Sequence, residues 1–113
     1  MTTSASLGEF EHLVLLATAH LGEDAYGVTV QREIRTRTAR AVSLGAVYAT
    51  LARLERKGYL RSWEGGASDK RGGRAKRFFA LRPGGVQALR AARQTLDRMW
   101  AGLELDARSG RSS

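Results

Sequence analysis

Apolar residues recur at helical spacing in four stretches of this chain, and two short runs carrying aromatic residues lie between the third and the fourth. The first stretch predicts a helix from Leu7 or Gly8 to Leu21, with Leu7, Phe10, Leu13, Val14, Ala17 and Leu21 three or four residues apart. Leu15 and Leu16 widen its apolar arc, so this helix is expected to pack on its own domain and on a second subunit. Gly22 is a suitable C-cap and Asp24 a suitable N-cap for a second helix from Tyr26 to Thr38, with Val30 and Ile34 inward and Gln31, Arg32 and Arg35 outward. Residues 39–42 form a connector with room for a brief strand. Ser43 caps a third helix that runs to Lys57 and stops at Gly58, with Leu44, Val47, Leu51 and Leu54 as its inner stripe. The strands follow at 60–64 and 76–81, marked by Trp63, Phe78 and Phe79. Pro83 opens a fourth helix to Leu105, in which Leu89, Ala92, Leu96, Met99 and Leu103 make a heptad seam.

A helix followed at once by a two-stranded hairpin is the way a winged helix-turn-helix presents itself to DNA. The expected fold is therefore mainly α with a small sheet (α+β): a winged helix-turn-helix over residues 7–82 with a two-stranded β-hairpin wing, and a C-terminal dimerisation helix over 83–105. The small polar ends, 1–6 and 106–113, are expected to be disordered tails.

Charge sharpens this picture. The chain has 113 residues, a net charge of +8 and no cysteine, which excludes disulfides and thiolate chemistry and suits a reducing compartment. Residues 1–30 hold four acids and no Lys or Arg, whereas residues 31–57 hold seven bases against two acids and residues 61–77 six against two. Positive charge thus begins with the second helix and continues through the hairpin, which points to a polyanionic partner. The longest apolar run, LVLLA at 13–17, is too short to span a bilayer and has no basic segment before it, so the expected location is cytoplasmic, with no membrane partner.

Two surfaces carry candidate chemistry. On the third helix, Gly45, Ala46 and Ala49 allow close approach to a neighbour, Tyr48 flanks them, and Arg53 points away from the core. Taken alone, that face better suits a solvated helix with helix-favouring alanines. The loop after it supplies Lys70, Arg71, Arg74, Lys76 and Arg77 among glycines, a composition suited to gripping phosphates. A merely flexible turn has the same composition, but the adjacency of the two surfaces favours nucleic acid. Catalysis has little support: His12 and His20 stand eight residues apart with no Cys or acid cluster beside them, Glu9 and Glu11 suit a helix start, and neither a nucleophile triad nor metal spacing emerges. No enzyme, cofactor or metal site is expected. Trp100 flanks the seam of the fourth helix as a dimer-core aromatic.

With these elements placed, the chain resembles the PadR family of transcriptional regulators over roughly residues 8–104. The resemblance rests on Tyr26-Gly27 opening the second helix, SLGAVYATLARLERKGYL at 43–60, GGRAKRFFAL at 72–81 and Gly85 near the start of the fourth helix. It implies a cytoplasmic, homodimeric repressor on a palindromic double-stranded operator, with Ser43, Gly45 and Tyr48 at the DNA face and Arg74 and its basic neighbours as wing contacts. It also implies dimerisation through the fourth helix helped by the first, which brings Phe10, Leu13, Leu89, Leu96, Met99, Trp100 and Leu103 to the interface. Some relatives bind flat aromatic molecules between the helices of that interface through a Trp of the fourth helix. A small aromatic inducer near Trp100 is the corresponding implication. The chain departs from the family pattern in placing Arg82-Pro83 where a Thr or Ser cap is usual, and in the longer acidic link before Tyr26. The alternatives are a winged helix that binds RNA and a protein-interaction module whose wing meets an acidic partner.

Overall fold

The computed structural model describes residues 7–65 and 76–105. Along the chain they form α1 (Glu9–Leu21), a single 3-10 turn (Gly22–Asp24), α2 (Gly27–Thr38), α3 (Leu44–Arg56), β1 (Leu60–Gly65), β2 (Lys76–Leu81) and α4 (Pro83–Trp100). Three helices and one face of the hairpin enclose a core of Val14, Leu15 and Ala17 from α1, Val30 and Ile34 from α2, Val47, Leu51 and Leu54 from α3, together with Ala25, Leu60 and Phe79. The buried stripe of α1 is centred differently from the expected one. Glu11, Val14, Leu15, Ala17 and Thr18 are buried, Leu16 is exposed, and Phe10 and Leu13 pack half-buried at the core's edge.

β1 and β2 pair antiparallel from Leu60 opposite Leu81 to Gly65 opposite Lys76. The link before α2 joins their edge: the Phe79 N–H donates to the Ala25 carbonyl at 2.9 Å, and Tyr26 bridges to Phe78. That pairing explains why Asp24 is not the cap of α2. Residues 25 and 26 must stay extended to meet β2, so the N-cap is Tyr26, whose N–H donates to Thr29 Oγ1 at 3.0 Å. The Thr29 hydroxyl in turn donates to the Asp24 carbonyl at 2.6 Å.

The turn from α2 to α3 contains no strand. It reverses at Ala39, which adopts left-handed φ 62 where glycine is the usual residue. Ser43 caps α3, its Oγ accepting the Ala46 N–H at 3.0 Å. α3 ends in a Schellman motif. Gly58, at φ 84, donates to the Glu55 carbonyl at 2.9 Å and Tyr59 donates to that of Leu54 at 3.0 Å.

α4 is shorter than the heptad spacing suggests. It stops at Trp100, and Gly102 takes φ 85, so Leu103 and Leu105 lie beyond the helix rather than on its seam. It is anchored at its start, where Arg82 N–H donates to the Tyr59 carbonyl at 2.9 Å. Gly85 lies so close to this carbonyl that a β-carbon there would stand 2.4 Å from the oxygen. Gly85 is the one buried residue of α4.

Candidate nucleic-acid interface

α2, the turn at 39–43 and α3 make the helix-turn-helix, and the hairpin stands beside it as a wing. Ser43, Gly45, Ala46 and Ala49 are all exposed along the outward side of α3, so beside Tyr48 this stretch of backbone carries no exposed side chain larger than a methyl or hydroxymethyl group. Tyr48 is 47% exposed and lies across the start of α2. The fit there depends on Gly27, where a β-carbon would fall 2.3 Å from Tyr48 Cε1. Tyr26-Gly27 and Tyr48, which are 21 residues apart in sequence, are therefore one structural unit, with the tyrosine ring resting where α2 offers no side chain.

Lys76 is exposed at the start of β2. Its Nζ stands 4.6 Å from the centre of the Tyr26 ring and 3.4 Å from that hydroxyl. The same side of the hairpin continues as a line of rings and cations: Tyr26 meets Phe78 edge-on at 5.3 Å, Phe78 stacks on Trp63 at 6.1 Å, and Arg61 covers Trp63 at 4.6 Å. This ladder stiffens the base of the wing. Lys70, Arg71 and Arg74 lie outside the described residues.

Arg53 has a different place from the one its outward position suggested. Its Nε donates to Glu11 Oε2 at 3.0 Å and its Nη2 to Thr50 Oγ1 at 3.2 Å. Lys57 Nζ donates to the same Glu11 oxygen at 2.8 Å, and the Gly8 N–H donates to Oε1 at 3.0 Å. Burial alone would raise the Glu11 carboxyl, but the hydrogen bonds from Lys57, Gly8 and Arg53, with the Lys57 charge, hold it below the ordinary carboxylate value. Glu11 does lie in the first turn of α1, as its sequence position implies, but it faces the core and its two cations rather than serving the helix dipole alone. The missed signal was its spacing: Glu11 shares one stripe with Val14, Leu15 and Thr18, so it had to be buried and partnered. Arg40, in the turn before α3, pairs with Glu9 at 3.3 Å.

The residues expected at a dimer interface divide into two groups. Phe10, Leu13 and Leu89 pack partly buried on their own core. Leu96, Met99, Trp100 and Leu103 are more than half exposed, Met99 reaching 73%, and with Leu105 they line a shallow hollow of about 240 Å³. Further along α4, Ala88, Ala92 and Leu96 face Leu7 and His12 of the α1 end across a groove of about 700 Å³. Among the described residues no group of His, Cys, Asp or Glu could hold a metal ion, and no helix is long and apolar enough to cross a membrane.

The family model described as "Transcriptional regulator PadR-like family" matches residues 15–91. No curated protein matches the chain. Among solved structures, it is similar to a PadR family transcription regulator from hypervirulent Clostridium difficile, with 22% identity, a TM-score of 0.64, and coverage of 84% of this chain and 100% of that one. It is similar to a winged-helix DNA-binding protein from STIV, with 15% identity, a TM-score of 0.68, and coverage of 88% and 100%. It is also similar to Bordetella bronchiseptica BpsR, whose DNA binding is regulated by 6-hydroxynicotinic acid, with 18% identity, a TM-score of 0.63, and coverage of 96% and 76%.

Proposed function

The chain belongs to the PadR-like family of transcriptional regulators, DNA-binding proteins and not enzymes, and from that premise we propose that it is a homodimeric repressor acting on a palindromic operator in the cytoplasm. The observation that carries this reading is the bare apolar end of α4. Leu96, Met99, Trp100 and Leu103 are exposed together, and water contact with such a patch is unfavourable unless another surface covers it. A second copy presents the same stripe, and a two-fold axis through α4 would hold two copies of α3 for successive major grooves.

In this reading the small residues Gly45, Ala46 and Ala49 admit the α3 backbone to the groove, Ser43 lies at its entry, and Tyr48 reaches bases or phosphate. Lys76, with Lys70, Arg71 and Arg74, grips the flanking backbone. Arg53 is withdrawn from the base-reading set, because its guanidinium is engaged by Glu11. A small aromatic effector near Trp100 is part of the same proposal. The regulation of BpsR by 6-hydroxynicotinic acid supports a ligand of that kind, and the exposed indole offers it a stacking face.

Fluorescence anisotropy on duplexes carrying an inverted repeat tests the reading. Affinity should peak when the half-sites are about one helical turn apart. With about six phosphates neutralised, log K should fall with log salt at a slope of about −5. Equal affinity at every spacing, or affinity flat in salt, contradicts it.

A further inference from the structure

Glu11 is the only charged residue buried among the described residues, with 8% of its surface exposed. It belongs to α1, yet both cations that it holds, Arg53 and Lys57, belong to the last turn of α3 and the residue that caps it. Those cations are at the surface, with 45% and 37% of their side chains exposed, while the carboxylate between them is enclosed. The outward face nearer the start of α3 carries no charge at all. One acid thus ties down two cations at the end of the helix that the proposed function sets against DNA, and offsets one of their two charges.

Phosphates are offered by every sequence, so a cation that reaches one adds affinity without discrimination. Stripping a buried carboxylate of both partners is far more unfavourable than a solvent-screened phosphate contact is favourable. Bound DNA therefore leaves the two cations where they are. Resting on the reading that α3 faces DNA, we infer that Glu11 is a specificity-determining positioning residue: by holding Arg53 and Lys57 against α1, it denies α3 two phosphate contacts that any duplex could supply. Discrimination is then left to Tyr48 and the small residues around it.

Glu11→Gln in the full chain tests this, since it keeps the side-chain shape and removes the negative charge that holds both cations. Binding to a random-sequence duplex is measured by anisotropy across a salt series. Two freed cations should steepen the log K against log salt slope by about 1.8 per chain and raise random-duplex affinity at 0.1 M salt by on the order of tenfold or more. The ratio between a duplex selected by the wild-type protein and the random duplex should fall. The triple variant Glu11→Gln/Arg53→Gln/Lys57→Gln loses the same brace without freeing a charge, and should return to the wild-type slope. A folded Glu11→Gln protein with an unchanged slope, or a triple variant that matches the single one, overturns the inference. Should Glu11→Gln fail to fold, Lys57→Gln decides. It should leave the slope unchanged, and a slope shallower by about 0.9 would mean that Lys57 already sits on a phosphate and would overturn the inference. A wild-type protein that binds no duplex removes the parent reading and this one together, whereas failure of the variants alone removes only this one.

Discussion

α3 and α4 are both amphipathic, and they precede and follow the same hairpin along the chain, yet they are covered in opposite ways. α3 has most of its inner stripe enclosed, with Val47, Thr50, Leu51 and Leu54 buried against α1, α2 and β1 and Leu44 half-buried at its start. α4 buries only Gly85, and from residue 93 onward every described residue is exposed. An apolar stripe states that something must cover it but does not say what. For α3 the cover is the chain's own domain, which leaves its outer face of small residues free for a ligand. For α4 its own domain holds only the first half, through Gly85 and the half-buried Leu89, and in the reading proposed above a second copy covers the rest.

The largest effect should come from denying α4 that cover. Leu96→Asp places a charge in the proposed seam, where burial without a partner is strongly unfavourable. Leu96 is 54% exposed in the single chain, so the core of the monomer should survive. The expected outcome is a folded monomer by light scattering whose duplex affinity has fallen by on the order of a hundredfold or more, as the second recognition helix is lost. A dimeric Leu96→Asp protein would put the interface somewhere else.

Next in size is the anchor of α4. At Gly85 an added methyl meets the Tyr59 carbonyl, a backbone atom that cannot swing aside. Gly85→Ala should lower stability by about 1–3 kcal/mol in urea unfolding. A cost within error would show that the first turn of α4 is loosely held and that the contrast with α3 extends along its whole length.

The smallest effect concerns the outer face of α3. Gly27→Ala drives a methyl into the Tyr48 ring, which is half exposed and free to rotate outward. Stability should change by less than about 1 kcal/mol, but duplex affinity should fall as it does in Tyr48→Ala, by about 1–3 kcal/mol if that ring reaches a base. The two changes should not add, because they remove one contact. Additive losses would mean that Gly27 and Tyr48 act on DNA separately.

The same contrast explains what could be read in the sequence. The helices, the hairpin and the caps at Ser43 and Gly58 were legible because each rests on local chemistry: a hydroxyl for a free N–H, a glycine for a positive φ, an apolar period. Three features were not, because each is decided by a distant partner. Asp24 is a favoured capping residue, but β2 takes the segment after it as an edge and moves the start of α2 to Gly27. Leu103 keeps the heptad spacing, but the spacing does not register that Gly102 turns the chain. Arg53 looked free because Glu11 lies 42 residues before it. Of the candidate site, Tyr26-Gly27 and Tyr48 were named from the motif as separate residues, whereas the seat of Tyr48 on Gly27 and the tether of Arg53 both needed the packing of helices on one another.

In the reading proposed above, a second copy of the chain covers the exposed end of α4. Sedimentation velocity of the wild-type protein at micromolar concentration, alone and with an inverted-repeat duplex, tests it most directly. A dimer is expected in both cases, with two chains on one duplex. A protein that sediments as a monomer, and as one chain on a tightly bound duplex, would contradict it.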